Sequence, residues 1–273
     1  MSIPLEDNFG DIVGKAQRGL DLSDSALASG AGLPVDALQR LRAGHFDPAA
    51  ARLFARALGL NPRALVEIGQ SAYAPAAIGP FEGLAQFNTV FDDMTVNAYL
   101  LWDPTTRDAA AFDTGGDCTA MIEQLHSLDL TLRFIFLTHT HGDHIFDLDR
   151  LRDHTGAPAF VSSREPLPGA ESIEAGREFS VGFLRVGTRL TWGHSRGGIT
   201  YVVSGLRRPV AVVGDALFAG SMGGGAVSYA EALNTTREQI FSLPGDTILC
   251  PGHGPMTSVA EEKEHNPFFA TRA

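Results

Sequence analysis

The sequence predicts a layered α/β domain over residues 76–273, preceded by a small all-α segment over residues 1–75. Three observations carry this reading. Beyond residue 83, short apolar runs alternate with segments of helical spacing, the pattern of strands interleaved with helices. The first 75 residues are rich in Ala, Leu and Arg and break into short stretches that begin and end on helix caps. Between the two parts, Ala74–Gly83 has the Pro and Gly content of a linker.

In the first part, Ser23 is placed to cap a helix that carries Leu27 and Ala28 at helical spacing, and Gly30 and Gly32 break it. Pro34 suits a first helical turn, and Val35, Leu38 and Leu41 follow on one face before Gly44. Asp47-Pro48 opens a helix over Ala49–Leu58 that Gly59 closes, and Asn61-Pro62 opens a last one through Ile68. In the larger part, strands are expected at Ala98–Trp102, Ala109–Phe112, Phe134–Leu137, Ala159–Val161, Ile199–Val203, Val210–Val213 and Thr247–Cys250. Helices are expected at Cys118–Leu128, Ile145–Thr155 and Thr235–Leu243.

The composition narrows the function classes. With 44% hydrophobic and 19% charged residues in 273, the chain can bury a sizeable core and is neither disordered nor fibrous. Residues 1–75 hold seven basic and eight acidic residues, against 14 and 24 in the remainder, so nearly all of the net charge of −11 lies on the larger part. That balance argues against non-specific adhesion to nucleic acid or anionic lipid. No apolar run approaches the length of a membrane helix, and the start has no secretory pattern. Two cysteines, Cys118 and Cys250, form no disulfide framework, which fits a reducing, cytoplasmic compartment.

The order of residues from Leu22 to Leu38, with Ala57-Leu58-Gly59-Leu60 beyond it, resembles the phage-repressor type of helix-turn-helix domain. The resemblance implies that Pro34–Arg42 would enter a DNA major groove. That helix offers only Arg40 and Arg42 in a segment without net positive charge. The expected role is therefore a helical cap or a dimerisation module that makes a homo-oligomer, with DNA binding as the alternative.

Nine histidines are the feature that asks for chemistry. The apolar stretch Phe134–Leu137 runs directly into Thr138-His139-Thr140-His141-Gly142-Asp143-His144. In an extended segment His139 and His141 share a face, and Asp143 and His144 follow as the chain turns towards a helix. Four ligand-type side chains within six residues are costly to bury, and a divalent metal ion satisfies them.

This segment resembles the signature of the metallo-β-lactamase fold superfamily, and the likeness extends over roughly residues 84–269. It implies an αββα sandwich. The third histidine of the pattern matches His194 in Trp192-Gly193-His194, the bridging aspartate Asp215 in Gly214-Asp215-Ala216, and the last histidine His253 in Pro251-Gly252-His253. By that resemblance His139, His141 and His194 bind one metal, Asp143, His144 and His253 a second, and Asp215 bridges both. Two divalent ions, two carboxylates and a hydroxide leave a net of about +1 to draw an anionic substrate. The implied reaction is metal-assisted hydrolysis by a metal-bound hydroxide, with Asp143 orienting it or moving a proton. Zinc is the expected metal, with iron or manganese as alternatives.

Within the superfamily, Gly214–Ser221, Pro251–Pro255 and His265–Phe269 look most like the glyoxalase-II-like branch, which hydrolyses glutathione thioesters. The branch places a basic residue shortly after its Gly-Asp-x-Leu-Phe segment, where this sequence has Met222-Gly223-Gly224-Gly225. The chain ends about twenty residues after His253, short of the helical C-terminal domain of full-length glyoxalase II. A persulfide dioxygenase with one iron on His139, His194 and Asp215, a lactonase, and a DNA-binding regulator with a metal-containing sensor domain are the alternatives. Arg196 and Tyr229 are candidate substrate contacts, whereas Cys250 is read as a buried strand residue. His45, His126, His154 and His265 are read as surface or loop residues.

Overall fold

The structure is a computed structural model that describes residues 3–271. Five helices come first: α1 (Phe9–Gly19), α2 (Asp24–Ala31), α3 (Val35–Arg42), α4 (Pro48–Ala57) and α5 (Pro62–Gly69). Asn8, Ser23, Asp47 and Asn61 each accept backbone N–H bonds at the start of their helix. The first helix is additional to those the sequence predicts; Asn8 and Asp11 form a reciprocal capping box that starts it.

Among the described residues twelve strands then form two six-stranded sheets. The first holds, in spatial order, β1 (Leu84–Phe91), β2 (Met94–Trp102), β3 (Asp108–Phe112), β4 (Thr131–Phe136), β5 (Ala159–Ser162) and β6 (Glu171–Ile173). The second holds β7 (Glu178–Val181), β8 (Leu184–Leu190), β9 (Ile199–Ser204), β10 (Val210–Gly214), β11 (Ile248–Pro251) and β12 (Thr257–Ser258). Helices α6 (Thr119–Ser127), α7 (Gly142–Ile145) and α8 (Leu148–Thr155) fall within the first half, and α9 (Tyr229–Gln239) and α10 (Val259–His265) within the second.

Alternation along the strands builds the layers. Tyr99, Leu101, Phe112 and Phe136 of the first sheet meet Val186, Tyr201, Val212 and Ile248 of the second in one buried cluster. The intervening residues Leu100, Ala111 and Ile135 face outward onto Met121, Leu125 and Leu151 of α6 and α8. On the other side Ala211, Val213 and Leu249 meet Ile240, Leu243 and Val259. Helix, sheet, sheet, helix is the expected αββα sandwich.

All seven expected strands are present, and β1, β6, β7, β8 and β12 are additional. The helix expected over Ile145–Thr155 is split at Phe146 and Asp147, where the Asp147 carboxylate accepts the Cys118 N–H at 2.8 Å. The helix expected at Thr235–Leu243 starts at Tyr229 instead, because Ser228 caps it.

Helices α1 to α5 do not stand apart from the sandwich. Ile12, Leu38, Phe54, Leu65 and Ile68 share one buried cluster with Met222, Ala232 and Phe268. Polar contacts fasten the same junction: Lys15 pairs with buried Asp7, which also accepts the Ser221 hydroxyl at 2.5 Å. Glu262, fully buried in α10, accepts four bonds, from Tyr73 Oη (2.9 Å), Thr257 Oγ1 (2.8 Å), Gly220 N–H (2.9 Å) and Asn266 Nδ2 (2.8 Å). Every lone pair of that carboxylate is taken.

Among the described residues four strand pairs are parallel: β4 with β5, β5 with β6, and the two that end at the site, β3 with β4 and β10 with β11. Their C-terminal ends release Asp113, Thr138 with His139, Asp215 and His253 into neighbouring loops. This is where the site forms.

Candidate metal centre

Seven side chains chosen from the sequence come together in two groups. The first is His139, His141, His194 and Asp215, and the second is Asp143, His144 and His253. In the first, His139 Nε2 lies 3.0 Å from His141 Nδ1, His194 Nε2 lies 3.1 Å from the same atom, and Asp215 Oδ2 is 3.3 Å from His194 Nε2. In the second, Asp143 Oδ2 is 3.3 Å from His253 Nε2 and 3.5 Å from His144 Nε2. Asp215 reaches both groups, since Oδ1 is 3.3 Å from His144 Nε2 and Oδ2 is 3.6 Å from His253 Nε2.

Local structure explains the convergence. The chain leaves β4 extended, so His139 and His141 fall on one side, and the short α7 turn carries Asp143 and His144 round to the second group. His194 sits in the β8–β9 loop, Asp215 directly after β10 and His253 two residues after β11. Only glycine fits at position 252: a Cβ there would lie 2.1 Å from Asp215 Oδ1 and 2.6 Å from the His144 ring.

The outward-facing ring nitrogens are held by the protein. His144 Nδ1 donates to Asp113 Oδ2 at 2.8 Å, His194 Nδ1 to the Gly223 carbonyl at 2.7 Å and His253 Nδ1 to the Thr95 carbonyl at 2.7 Å. His139 Nδ1 is 3.0 Å from Thr138 Oγ1, which donates to Asp113 Oδ2 at 2.7 Å, while the Thr138 N–H donates to Oδ1 at 2.7 Å. With Nδ1 protonated and donating, Nε2 of His144, His194 and His253 presents a lone pair inward, the state a metal ligand needs. Asp113 and its partners were missed in the sequence. Its signal is a carboxylate at the end of an apolar strand and beside two glycines, Phe112-Asp113-Thr114-Gly115-Gly116.

Electrostatics agree with a cation site. Burial opposes a charge on Asp215, but His144, His253 and His194 outweigh it and hold its carboxyl well below the usual range. Asp143 is shifted the same way, burial again being overcome, here chiefly by His253. His139 and His141 are pushed down by burial, which keeps them neutral. Burial also opposes charge on His144 and His253, yet the carboxylates prevail, and His253 rises to about 9. Cations in the two groups would take over the charge those protons balance.

The donor set fits divalent metal. His144 Nε2 and Asp215 Oδ1 are both buried and have no hydrogen-bond partner among the described residues. Such orphaned atoms are costly unless an ion fills the space between them. The separations of 3.0–3.6 Å match the roughly 3.3 Å between ligand atoms around a tetrahedral ion with bonds near 2.0 Å.

The family model described as the metallo-beta-lactamase superfamily matches residues 91–253, more than half of the chain and a span that contains all seven residues. The chain belongs to that superfamily. The "Probable metallo-hydrolase YqgX" of Bacillus subtilis is 30% identical over 63% of this chain and 92% of its own length. The "Hydroxyacylglutathione hydrolase GloC" of Haemophilus influenzae is 27% identical over 65% of this chain and 94% of its own. Among solved structures, that of ETHE1 from Myxococcus xanthus aligns over 67% of this chain and 83% of its own with a TM-score of 0.57 and 29% identity. As a metallo-beta-lactamase superfamily member the chain is a metal-dependent hydrolase by family.

Other candidates fall out differently. Cys250 lies fully buried between the sheets and burial pushes its thiol up, so it is no nucleophile. Tyr229 packs its ring against Gly19 of α1 within the helical cluster. Arg196 is exposed near the site, its backbone N–H bonded to Glu165 at 2.8 Å. His265 is not an idle loop residue: it stacks on Tyr73 at 4.8 Å and pairs with Glu67 at 2.9 Å, tying α10 to the helical segment. His126 and His154 are exposed and bonded to each other at 2.8 Å.

Proposed function

We propose that this chain is a dinuclear metallohydrolase of thioesters, in which His139, His141 and His194 hold one divalent ion, Asp143, His144 and His253 hold the other, and Asp215 bridges them. The observation that carries it is the pair of ligand groups sharing one carboxylate, with the outer nitrogens of three imidazoles fixed by hydrogen bonds. Imidazole and carboxylate donors suit zinc first, and iron or manganese also. When bound, such ions lower the pKa of water towards neutrality and polarise a carbonyl.

The protein's own part is positioning. Asp113, Gly223 and Thr95 lock three imidazoles with Nε2 inward, so the site is shaped before substrate arrives. Asp143 is ionised, only partly buried and beside His253, which makes it the group placed to take up a proton during attack. A thiolate leaves without a strong general acid. The resemblance to a hydroxyacylglutathione hydrolase supports a glutathione thioester as substrate, and the two buried free cysteines support a cytoplasmic setting.

The test is one metal-analysed preparation assayed for thiol release from S-lactoylglutathione, for oxygen uptake with a persulfide and for lactone opening. Thiol release with about two metals per chain is expected; metal-free protein purified without chelator would sink the proposal. A second reading, a mononuclear iron dioxygenase on His139, His194 and Asp215, is favoured by the first group forming a complete set of donors by itself. Oxygen uptake without thioester turnover would select it. The DNA-binding reading is weakened because Arg42 of α3 is committed to Asp24 at 2.8 Å and to Gln17 at 2.6 Å, leaving Arg40. Gel retardation at low salt decides it.

A further inference from the structure

A cavity of about 360 Å³ lies between α1 and the loop after Met222, with Lys15, Arg18 and Gly19 on one wall and Gly223, Gly224 and Gly225 on the other. It adjoins the metal centre. The Gly223 carbonyl accepts from His194 Nδ1, and the Gly223 N–H donates to the Asp215 carbonyl at 3.1 Å, so one wall is bonded to two of the proposed ligands. The other wall is pinned by contact: a Cβ on Gly19 would lie 2.3 Å from the Tyr229 ring.

The cavity's charge is one-sided. Lys15 is engaged, paired with Asp7 and donating to the Met222 carbonyl at 2.8 Å. Arg18 is exposed, and its guanidinium has no ion pair or hydrogen bond among the described residues. The N–H groups of Gly224 and Gly225 also have no partner among the described residues. No carboxylate lines the space. Arg18, Gly224 and Gly225 line one cavity, and an unpaired guanidinium with unpartnered backbone N–H groups supplies donors of the kind that receive a carboxylate.

We infer that this cavity is an anion subsite in which Arg18, with the Gly224 and Gly225 N–H groups, binds a carboxylate that the substrate carries remote from its scissile bond. The inference rests on the hydrolase reading and names its substrate class, an acidic thioester. The specificity-determining residue then comes from a helix outside the family-matched residues 91–253. Lys15 is a positioning residue that docks α1 against the loop.

The test compares wild type with Arg18→Gln and Arg18→Lys in the full metal-loaded chain. Two substrates share one acyl group: S-lactoylglutathione carries free carboxylates, and S-lactoyl-N-acetylcysteamine carries none. Arg18→Gln should raise KM for the first by about tenfold to a hundredfold at unchanged kcat, as loss of a charged hydrogen bond implies, and leave the second unaltered. Arg18→Lys should restore part of the loss. An equal effect on both substrates, or none on either, overturns the subsite. Calorimetric binding of the non-hydrolysable S-methylglutathione separates the two readings: weaker binding to Arg18→Gln supports the subsite even if no thioester is turned over, and equal binding refutes it.

Discussion

Asp113→Asn isolates the part played by a residue that touches no proposed ion. Asp113 Oδ2 accepts from both His144 Nδ1 (2.8 Å) and Thr138 Oγ1 (2.7 Å), while Oδ1 accepts the Thr138 N–H (2.7 Å). Asparagine is the cleaner replacement because Asp113 holds φ +57°, a left-handed conformation that asparagine tolerates and alanine resists. If the amide oxygen keeps the Thr138 N–H, the amide NH2 confronts two donors. His144 must then shift its proton to Nε2, the atom that faces Asp215, and lose its lone pair for the second ion. Loss of such an orienting partner costs tenfold to a hundredfold in metal affinity, or about 1.4–2.7 kcal/mol. The second ion should weaken most, and the first less, since His139 feels the change only through Thr138. Competition against a chromophoric chelator, with stoichiometry by elemental analysis, measures each step. An Asp113→Asn protein that binds both ions as tightly as wild type refutes the argument.

Asp215→Ala should lose the first ion and abolish turnover, and a fully active variant would remove Asp215 from the bridging position. Glu262→Ala should cost about 3 kcal/mol, because the buried Gly220 N–H and Asn266 amide, with the Tyr73 and Thr257 hydroxyls, lose their shared acceptor; a lower denaturant midpoint at unchanged slope reads it, and an unshifted midpoint contradicts it. Burial raises the thiol of Cys118 to about 12 and pushes Cys250 up as well, so neither should react with a thiol reagent at pH 8 until the protein unfolds. Rapid labelling of the folded chain would show that the sandwich opens. Gly19→Leu should destabilise the docked α1, since the side chain would enter the Tyr229 ring, and limited proteolysis near residue 20 should report it.

The seven proposed ligands were legible because each stands at the end of an apolar run, where a strand delivers a side chain to a loop. Asp113 was not, because its role exists only once β3 and β4 lie side by side in parallel, a contact between segments 25 and 31 residues apart. The β7–β8 hairpin escaped for another reason. Arg185 and Arg189 interrupt its apolar positions, so β8 alternates and shows no continuous apolar run. The docking of α1 to α5 onto Met222 and Phe268 was also hidden, since no local pattern marks which apolar face meets a partner more than 150 residues away.

The two groups at the centre draw on both halves of the sandwich. His139, His141, Asp143 and His144 hang from the first sheet, and His194, Asp215 and His253 from the second. Cations seated there would act as rivets through two leaves that otherwise meet by apolar packing and a few hydrogen bonds, such as Tyr99 Oη to the Pro251 carbonyl and Tyr201 Oη to the Leu137 carbonyl. Whatever binds the native state and not the unfolded chain adds its binding free energy to stability. The amides of β4 and β10 should therefore exchange with solvent more slowly in the loaded protein than in the chelated one, because the sandwich cannot open like a book without first giving up its ions.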